Sequence, residues 1–110
     1  MASVEECRLA LDKFAASIAD NGETKKMNFE RRLACDITDL DVSFHGRFSG
    51  GALIDLADGD DPGAQIRFIV SSDDLVALVD GELDFGKAFA SNRFKIKANL
   101  MDLLKLKGML

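Results

Sequence analysis

The chain holds one histidine, His45, and two cysteines, Cys7 and Cys35. These are the side chains from which nucleophilic or general-base chemistry would start. His45 lies in the run Val42 to Ser49, where Val42, Phe44, Gly46 and Phe48 alternate with Ser43, His45, Arg47 and Ser49. That phase puts His45 with Arg47 on the wet side of a strand, away from any apolar layer. A small enzyme acting on a hydrophobic substrate would instead need His45 or a carboxylate inside an apolar cavity with a shifted pKa. The separation of Cys7 and Cys35 matches no metal-ligand spacing. Cys7 shares a helical face with Val4, Leu11 and Phe14, and Cys35 a strand face with Leu33 and Ile37. Both read as buried, reduced thiols behaving as small apolar side chains. Asp58, Asp60 and Asp61, with Gly59 and Gly63, faintly echo a calcium loop. They lack the closing bidentate glutamate and the entering helix, so they read as an acidic hairpin or crossover loop. There is no glycine-rich phosphate loop, zinc motif or serine elbow, and no cofactor is implied.

Composition narrows the function classes. The chain has 110 residues, 47% of them hydrophobic and 30% charged, which suits one globular domain spanning 1–110. No apolar run is long enough to span a bilayer. The start, MASVEECRLALDKF, is acidic and amphipathic rather than a signal peptide, so a cytoplasmic protein is expected. Twelve acidic residues against two basic ones lie between Asp36 and Asp84. That acidic middle would repel phosphates and argues against a nucleic-acid partner. From Arg93 onward, five basic residues face one acidic residue. This basic tail reads either as a solvated face compensating a helix C-terminus or as a contact for anionic headgroups during transient membrane-surface contact.

The elements that must position these residues follow from hydrophobic period. Val4, Cys7, Leu11, Phe14 and Ile18 predict a helix from Ser3 to about Asp20, opened by a Ser3/Glu6 capping box and closed by Asn21-Gly22. A polar loop, Glu23 to Asn28, follows. Strands are expected over Arg31–Thr38, over Val42–Ser49, after Gly50-Gly51 with Ala52, Ile54 and Leu56 on one side, over Ile66–Val70, and over Arg93–Ala98. Helices are expected over Asp73–Val79 behind Ser71 or Ser72, over Phe85–Ala90 behind Asp84, and from Leu100 to about Leu106 behind Asn99. Each strand is apolar on one side only, so the helices need cover one face only. The expectation is an α+β two-layer sandwich, a five-stranded mostly antiparallel sheet in the order α-β-β-β-β-α-α-β-α.

All eight aromatics are phenylalanine. Most fall at inward positions, which an ordinary core explains without a ligand. The C-terminal helix is different. Leu100, Met101, Leu103, Leu104, Leu106, Met109 and Leu110 make it apolar nearly all round. Such a helix must be buried, cover a cavity or meet a partner.

The stretch from Ala64 to Leu100 resembles the sterol carrier protein type 2 (SCP-2) family of lipid-binding domains. The likeness rests on Ile66, Phe68 and Val70, then Ser72-Asp73-Asp74-Leu75, Leu78, Gly81 and Leu83. It continues with Ala88-Phe89, Phe94-Lys95-Ile96-Lys97 and Asn99. Asn92 stands where a glycine is common and can still enter a left-handed turn. The resemblance implies a hydrophobic tunnel between sheet and helices. Its wall would be Phe68, Val70, Leu75, Leu78, Val79, Phe85, Phe89, Phe94 and Ile96, with Leu100, Met101, Leu104 and Met109 as a lid. It implies a non-catalytic module for fatty acids, acyl-CoA, sterol-like or phospholipid ligands, monomeric or weakly dimeric. The alternative is an interaction or dimerisation module beside a lipid-metabolising enzyme, its oily C-terminus packed on a partner or second copy.

Overall fold

The computed structural model describes residues 1–20 and 30–109, with side chains placed for 1–18 and 30–106. The expected helix stop at Asn21-Gly22 and the loop Glu23 to Asn28 lie outside the described residues.

Among the described residues, four helices and five strands follow the predicted order: α1 Val4–Asp20, β1 Arg31–Ile37, β2 Val42–Ser49, β3 Ala52–Asp58, β4 Ile66–Val70, α2 Ser72–Val79, α3 Phe85–Ala90, β5 Phe94–Lys97 and α4 Leu100–Met109. The capping signals operate as read. Ser3 Oγ accepts the Glu6 N–H at 3.1 Å, and Glu6 Oε1 accepts the Ser3 N–H at 3.1 Å. Ser71 caps α2, Asp84 caps α3 through the Lys87 N–H, and Asn99 Oδ1 accepts the Asp102 N–H at 2.8 Å. Asn92 takes a φ of 62°, the left-handed bend that lets α3 turn into β5. Helix α4 runs past the expected end at Leu106 to Met109, over good helix formers such as Lys105 and Lys107.

The sheet has the order β3-β2-β1-β4-β5. Three pairs are antiparallel, and the central β1–β4 pair is parallel. The chain leaves β3 at the far edge and must reach β4 on the other side of β1. The segment Gly59 to Gln65 makes that crossing over the polar face, and charged groups pin it there. Arg67 donates to Asp36 Oδ1 at 2.7 Å and lies 2.9 Å from Asp60. Arg32 pairs with Asp61, and Gln65 accepts the Arg32 N–H at 3.1 Å. The acidic loop is therefore a strap neutralised by arginines. Among the described residues no acidic, histidine or cysteine cluster is arranged for a metal.

One expectation on the edge strand is corrected. Ala52, Ile54 and Leu56 do not share a side. Leu53 is buried opposite Phe48, whereas Ile54 pairs with the outward Arg47. The pairing shifts between His45 and Arg47, and Asp55 sits at a φ of 58°. This is a bulge: one extra residue on β3 resets its phase, so Leu53 and Leu56 both turn inward. They converge over Gly46, where an added Cβ would meet Ile54 O at 3.0 Å and Leu56 Cδ2 at 3.1 Å.

The core lies between the sheet and the helices. Cys7, Ala10, Leu11 and Ile18 of α1 and Leu75 and Leu78 of α2 bury against Leu33, Cys35, Ile37, Phe44, Phe48, Ile66, Phe68 and Val70. Cys7 and Cys35 are buried free thiols, as the sequence predicts. Burial, with Asp39 nearby, pushes the Cys7 thiol up to about 11; burial with Asp36 nearby pushes Cys35 up to about 12.

Candidate functional site

Phenylalanine builds the boundary between the closed core and a part of the helix layer that gapes. Phe14 of α1, Phe68 of β4, Phe94 of β5 and Phe85 of α3 form a closed ring of contacts. Their centroids are 6.3 Å (Phe14–Phe68), 5.1 Å (Phe68–Phe94), 5.7 Å (Phe85–Phe94) and 6.3 Å (Phe14–Phe85) apart. These are edge-on and tilted arrangements, each worth about 0.5–1.5 kcal/mol beyond simple burial. Four rings from four elements make a partition.

Beyond that partition lies a cavity of about 610 Å³, lined by Asp84, Phe85, Gly86, Phe89, Ala90, Phe94, Ile96 and Leu103. Helix α3 turns Ala88 into the core and presents Phe85, Gly86, Phe89 and Ala90 on its other side. Gly86 and Ala90 add little bulk, which leaves the room. Strand β5 contributes Phe94 and Ile96 from its inner face, and α4 contributes Leu103. Asp84 stands at the rim as the α3 cap, its Oδ2 accepting the Lys87 N–H at 2.9 Å. The remaining wall is hydrocarbon and aromatic, so the cavity can take apolar groups and offers one carboxylate at its edge.

A buried ion pair holds α4 over this end. Asp102 is 1% exposed, and Arg31 Nε donates to its Oδ2 at 2.9 Å. Asp102 Oδ1 is buried without a hydrogen-bond partner among the described residues. Leu106 buries beside it on the same helical side. At the other end, Arg93 pairs with Asp74 at the start of α2 and holds its carboxyl below the usual carboxylate range.

The thirteen residues singled out from sequence fall into distinct places. Phe85, Phe89, Phe94 and Ile96 line the cavity. Phe68, Val70, Leu75 and Leu78 lie in the closed core, and Val79 packs partly buried against it. Leu100, Met101 and Leu104 are 70%, 65% and 56% exposed, on the outward side of α4 rather than folded over the cavity. The inward side of α4 is taken by Asp102 and Leu106, which turns that stripe away. The Met109 side chain lies outside those described. Sequence reasoning missed Gly86, Ala90 and Leu103 as wall residues and the Arg31–Asp102 pair. An acidic residue three positions after Asn99 reads as an ordinary first-turn helix acid. Its inward turn leaves no local signal.

His45 lies on the polar side, as its phase predicts, with Nδ1 3.0 Å from Gly59 O in the crossover strap. It sits away from the cavity lining.

The same architecture occurs in solved structures. The sterol carrier protein 2 like 2 of Aedes aegypti superposes with a TM-score of 0.75 at 10% identity, over 96% of this chain and 97% of that one. The solution structure of the palmitated form of that Aedes aegypti protein gives 0.71 at 14% identity, over 96% and 91%. A stereoselective inverting sec-alkylsulfatase from Pseudomonas gives 0.62 at 18% identity, over 82% of this chain and 14% of that one. The chain thus spans only a small part of the sulfatase, and likeness at these identities is one of fold. No curated protein sequence matches the chain. The sequence model of the SCP-2 sterol transfer family matches residues 11–110, and the chain belongs to that family.

Proposed function

We propose that the protein is a non-catalytic lipid-binding module that takes an acyl chain or a similar apolar body into the cavity beneath α3, β5 and α4. The carrying observation is the cavity itself. At about 610 Å³ it lies within the roughly 300–1,000 Å³ span of ligand pockets, and its lining is more apolar than polar. Burying hydrocarbon there gains about 0.8 kcal/mol per methylene, so six buried carbons exceed ~4 kcal/mol of association cost. Membership of a sterol transfer family and the likeness to a palmitated protein support the same reading.

Phe85, Phe89, Phe94, Ile96 and Leu103 are the wall, and the four-ring partition is the floor. Phe68 is one ring of that floor, and Val70, Leu75, Leu78 and Val79 become accessible only when the rings part, so a longer ligand would reach them by moving Phe85 or Phe94. Leu100, Met101, Leu104 and Met109 would act as a lid only after α4 turns about its axis. With Asp84 at the rim as the one charged side chain among the described lining residues, selectivity among fatty acids, acyl-CoA, sterol-like and phospholipid ligands is expected to be loose.

Native mass spectrometry of protein purified without detergent tests this. A co-purifying lipid, or a mass shift with added oleate or palmitoyl-CoA, is expected. The shift should shrink in Ala90→Trp, which fills the cavity from α3. A clean mass that neither ligand shifts would make the cavity a packing defect and end the proposal.

A further inference from the structure

The members of the four-ring partition play unequal parts. Phe85 and Phe94 face the cavity, and Phe14 and Phe68 back them. Every described lining residue lies on α3 with its Asp84 cap, on β5 or on α4. Behind the rings, Val70, Leu75 and Leu78 are buried in the closed core. An apolar chain that enters past Asp84 and the 36% exposed Phe89 therefore meets two rings, with packed side chains beyond them.

Three of the rings are held by long or paired elements. Phe68 and Phe94 are fully buried on adjacent hydrogen-bonded strands, and Phe94 pairs with Val70. Phe14 sits within the 17-residue α1, between the buried Leu11 and Ile18. Phe85 differs. It is partly buried and opens the six-residue α3, whose one buried side chain is Ala88. Its place is set by two ring contacts, Phe94 edge-on at 5.7 Å and Phe14 tilted at 6.3 Å. A chain that goes deeper has to part Phe85 from both.

We infer that Phe85 is the stop that sets how much of an acyl chain this cavity buries, so the protein discriminates by chain length while staying loose about the headgroup. The inference rests on the cavity reading above. At about 30 Å³ per group, a water molecule's share of its liquid and close to a methylene's, 610 Å³ holds at most about twenty chain carbons. A single chain leaves corners empty, so the stop falls below that bound. Each methylene up to the stop leaves water and raises affinity about fourfold. Those beyond it remain in water at the mouth and add nothing.

The test is the affinity of the full chain for saturated fatty acids from eight to twenty-two carbons, read by displacement of anilinonaphthalene sulfonate. Wild type should gain about fourfold per methylene and then break to under about 1.5-fold, before about twenty carbons. Phe85→Ala should keep the early slope and move the break at least about two carbons longer, and Phe85→Leu should move it less. Phe89→Ala, on the exposed side of the same wall, should weaken every length alike and leave the break in place. Urea midpoints show which variants are folded, and the wild-type series alone decides whether a break exists. An affinity that climbs unbroken to twenty-two carbons would overturn the inference, as would a break that folded Phe85 variants leave in place or that Phe89→Ala moves as far. In those cases lipid still binds and the cavity reading stands. Absence of binding at every length ends the cavity reading and this inference with it, so the two failures are distinguishable.

Discussion

The two halves of the helix layer cover the same sheet in different ways. Over β1, β2 and β3, α1 approaches through small side chains, Cys7 and Ala10, with Leu11 and Ile18 between them, all buried. Over β4 and β5, α3 and α4 are held off by large rings, Phe85, Phe89 and Phe94, and a cavity of about 610 Å³ remains. Apolar composition is similar on both sides. Both halves hold rings, Phe44 and Phe48 in one and Phe85, Phe89 and Phe94 in the other; the difference is that α1 lays small and aliphatic side chains on the first set, whereas in the second rings meet rings edge-on beside the cavity. Hydrophobicity alone would not distinguish a core from a binding site here.

The sharpest way to break this comparison is to truncate one ring in each half. Phe44→Ala, in the closed half, should cost about 3–5 kcal/mol in urea denaturation, because its neighbours cannot collapse into the space. Phe89→Ala, at the partly exposed cavity wall, should cost under about 1.5 kcal/mol. Similar losses would mean that both halves are packed alike. Next in size is the pair that holds α4. Asp102→Ala should cost about 1–3 kcal/mol, below the full value for an orphaned buried charge, because Arg31 is 30% exposed and rehydrates. An unchanged midpoint would show that α4 is held by Leu106 alone.

Smaller effects separate the polar side from the core. Hydrogen bonds from Ser72 hold the Asp39 carboxyl below its usual 3.8, those from Arg32 do so for Asp61, and those from Arg93 for Asp74. A carboxylate with a lowered folded pKa adds stability above its unfolded pKa and loses it as pH falls through the folded one. Stability should therefore hold down to about pH 4 and decline below it. Asp61→Asn and Asp74→Asn should each flatten that acid limb in pH-dependent melting; an unaltered limb would remove the group concerned. The smallest effect concerns the thiols. With Cys7 raised to about 11 and Cys35 to about 12, thiol reagent at pH 8 should label the native protein at least about a hundredfold more slowly than an unfolded control. Rapid native labelling would show that the closed half opens readily.

The halves also differ in how far they could be read from sequence. The period-two runs at Val42–Ser49 and Ile66–Val70 and the caps at Ser3, Ser71, Asp84 and Asn99 give element order and the apolar face directly. So does the placing of His45 outward and of both cysteines inward. The β3 bulge was not legible, because its cause is the convergence of Leu53 and Leu56 over Gly46, a contact between strands. The cavity was half legible. Phe85, Phe89, Phe94 and Ile96 were singled out through family resemblance, whereas Gly86 and Ala90 matter by lacking bulk. The outward turn of Leu100, Met101 and Leu104 depends on the inward turn of Asp102 toward Arg31, a partner far off in the chain.

The parallel seam between β1 and β4 has a consequence for the order of assembly. The meander of β1, β2 and β3 is made of local hairpin contacts, which close quickly. The seam joins Leu33 to Ile66 and Ile37 to Val70, so it forms only after the strap has crossed the polar face. Strand β5 is hung on β4, and the cavity on both. The compartment is thus expected to be the last-formed unit of the fold. Slow steps in refolding should trace to closing a distant, parallel register, and amide exchange should release the cavity side before the meander.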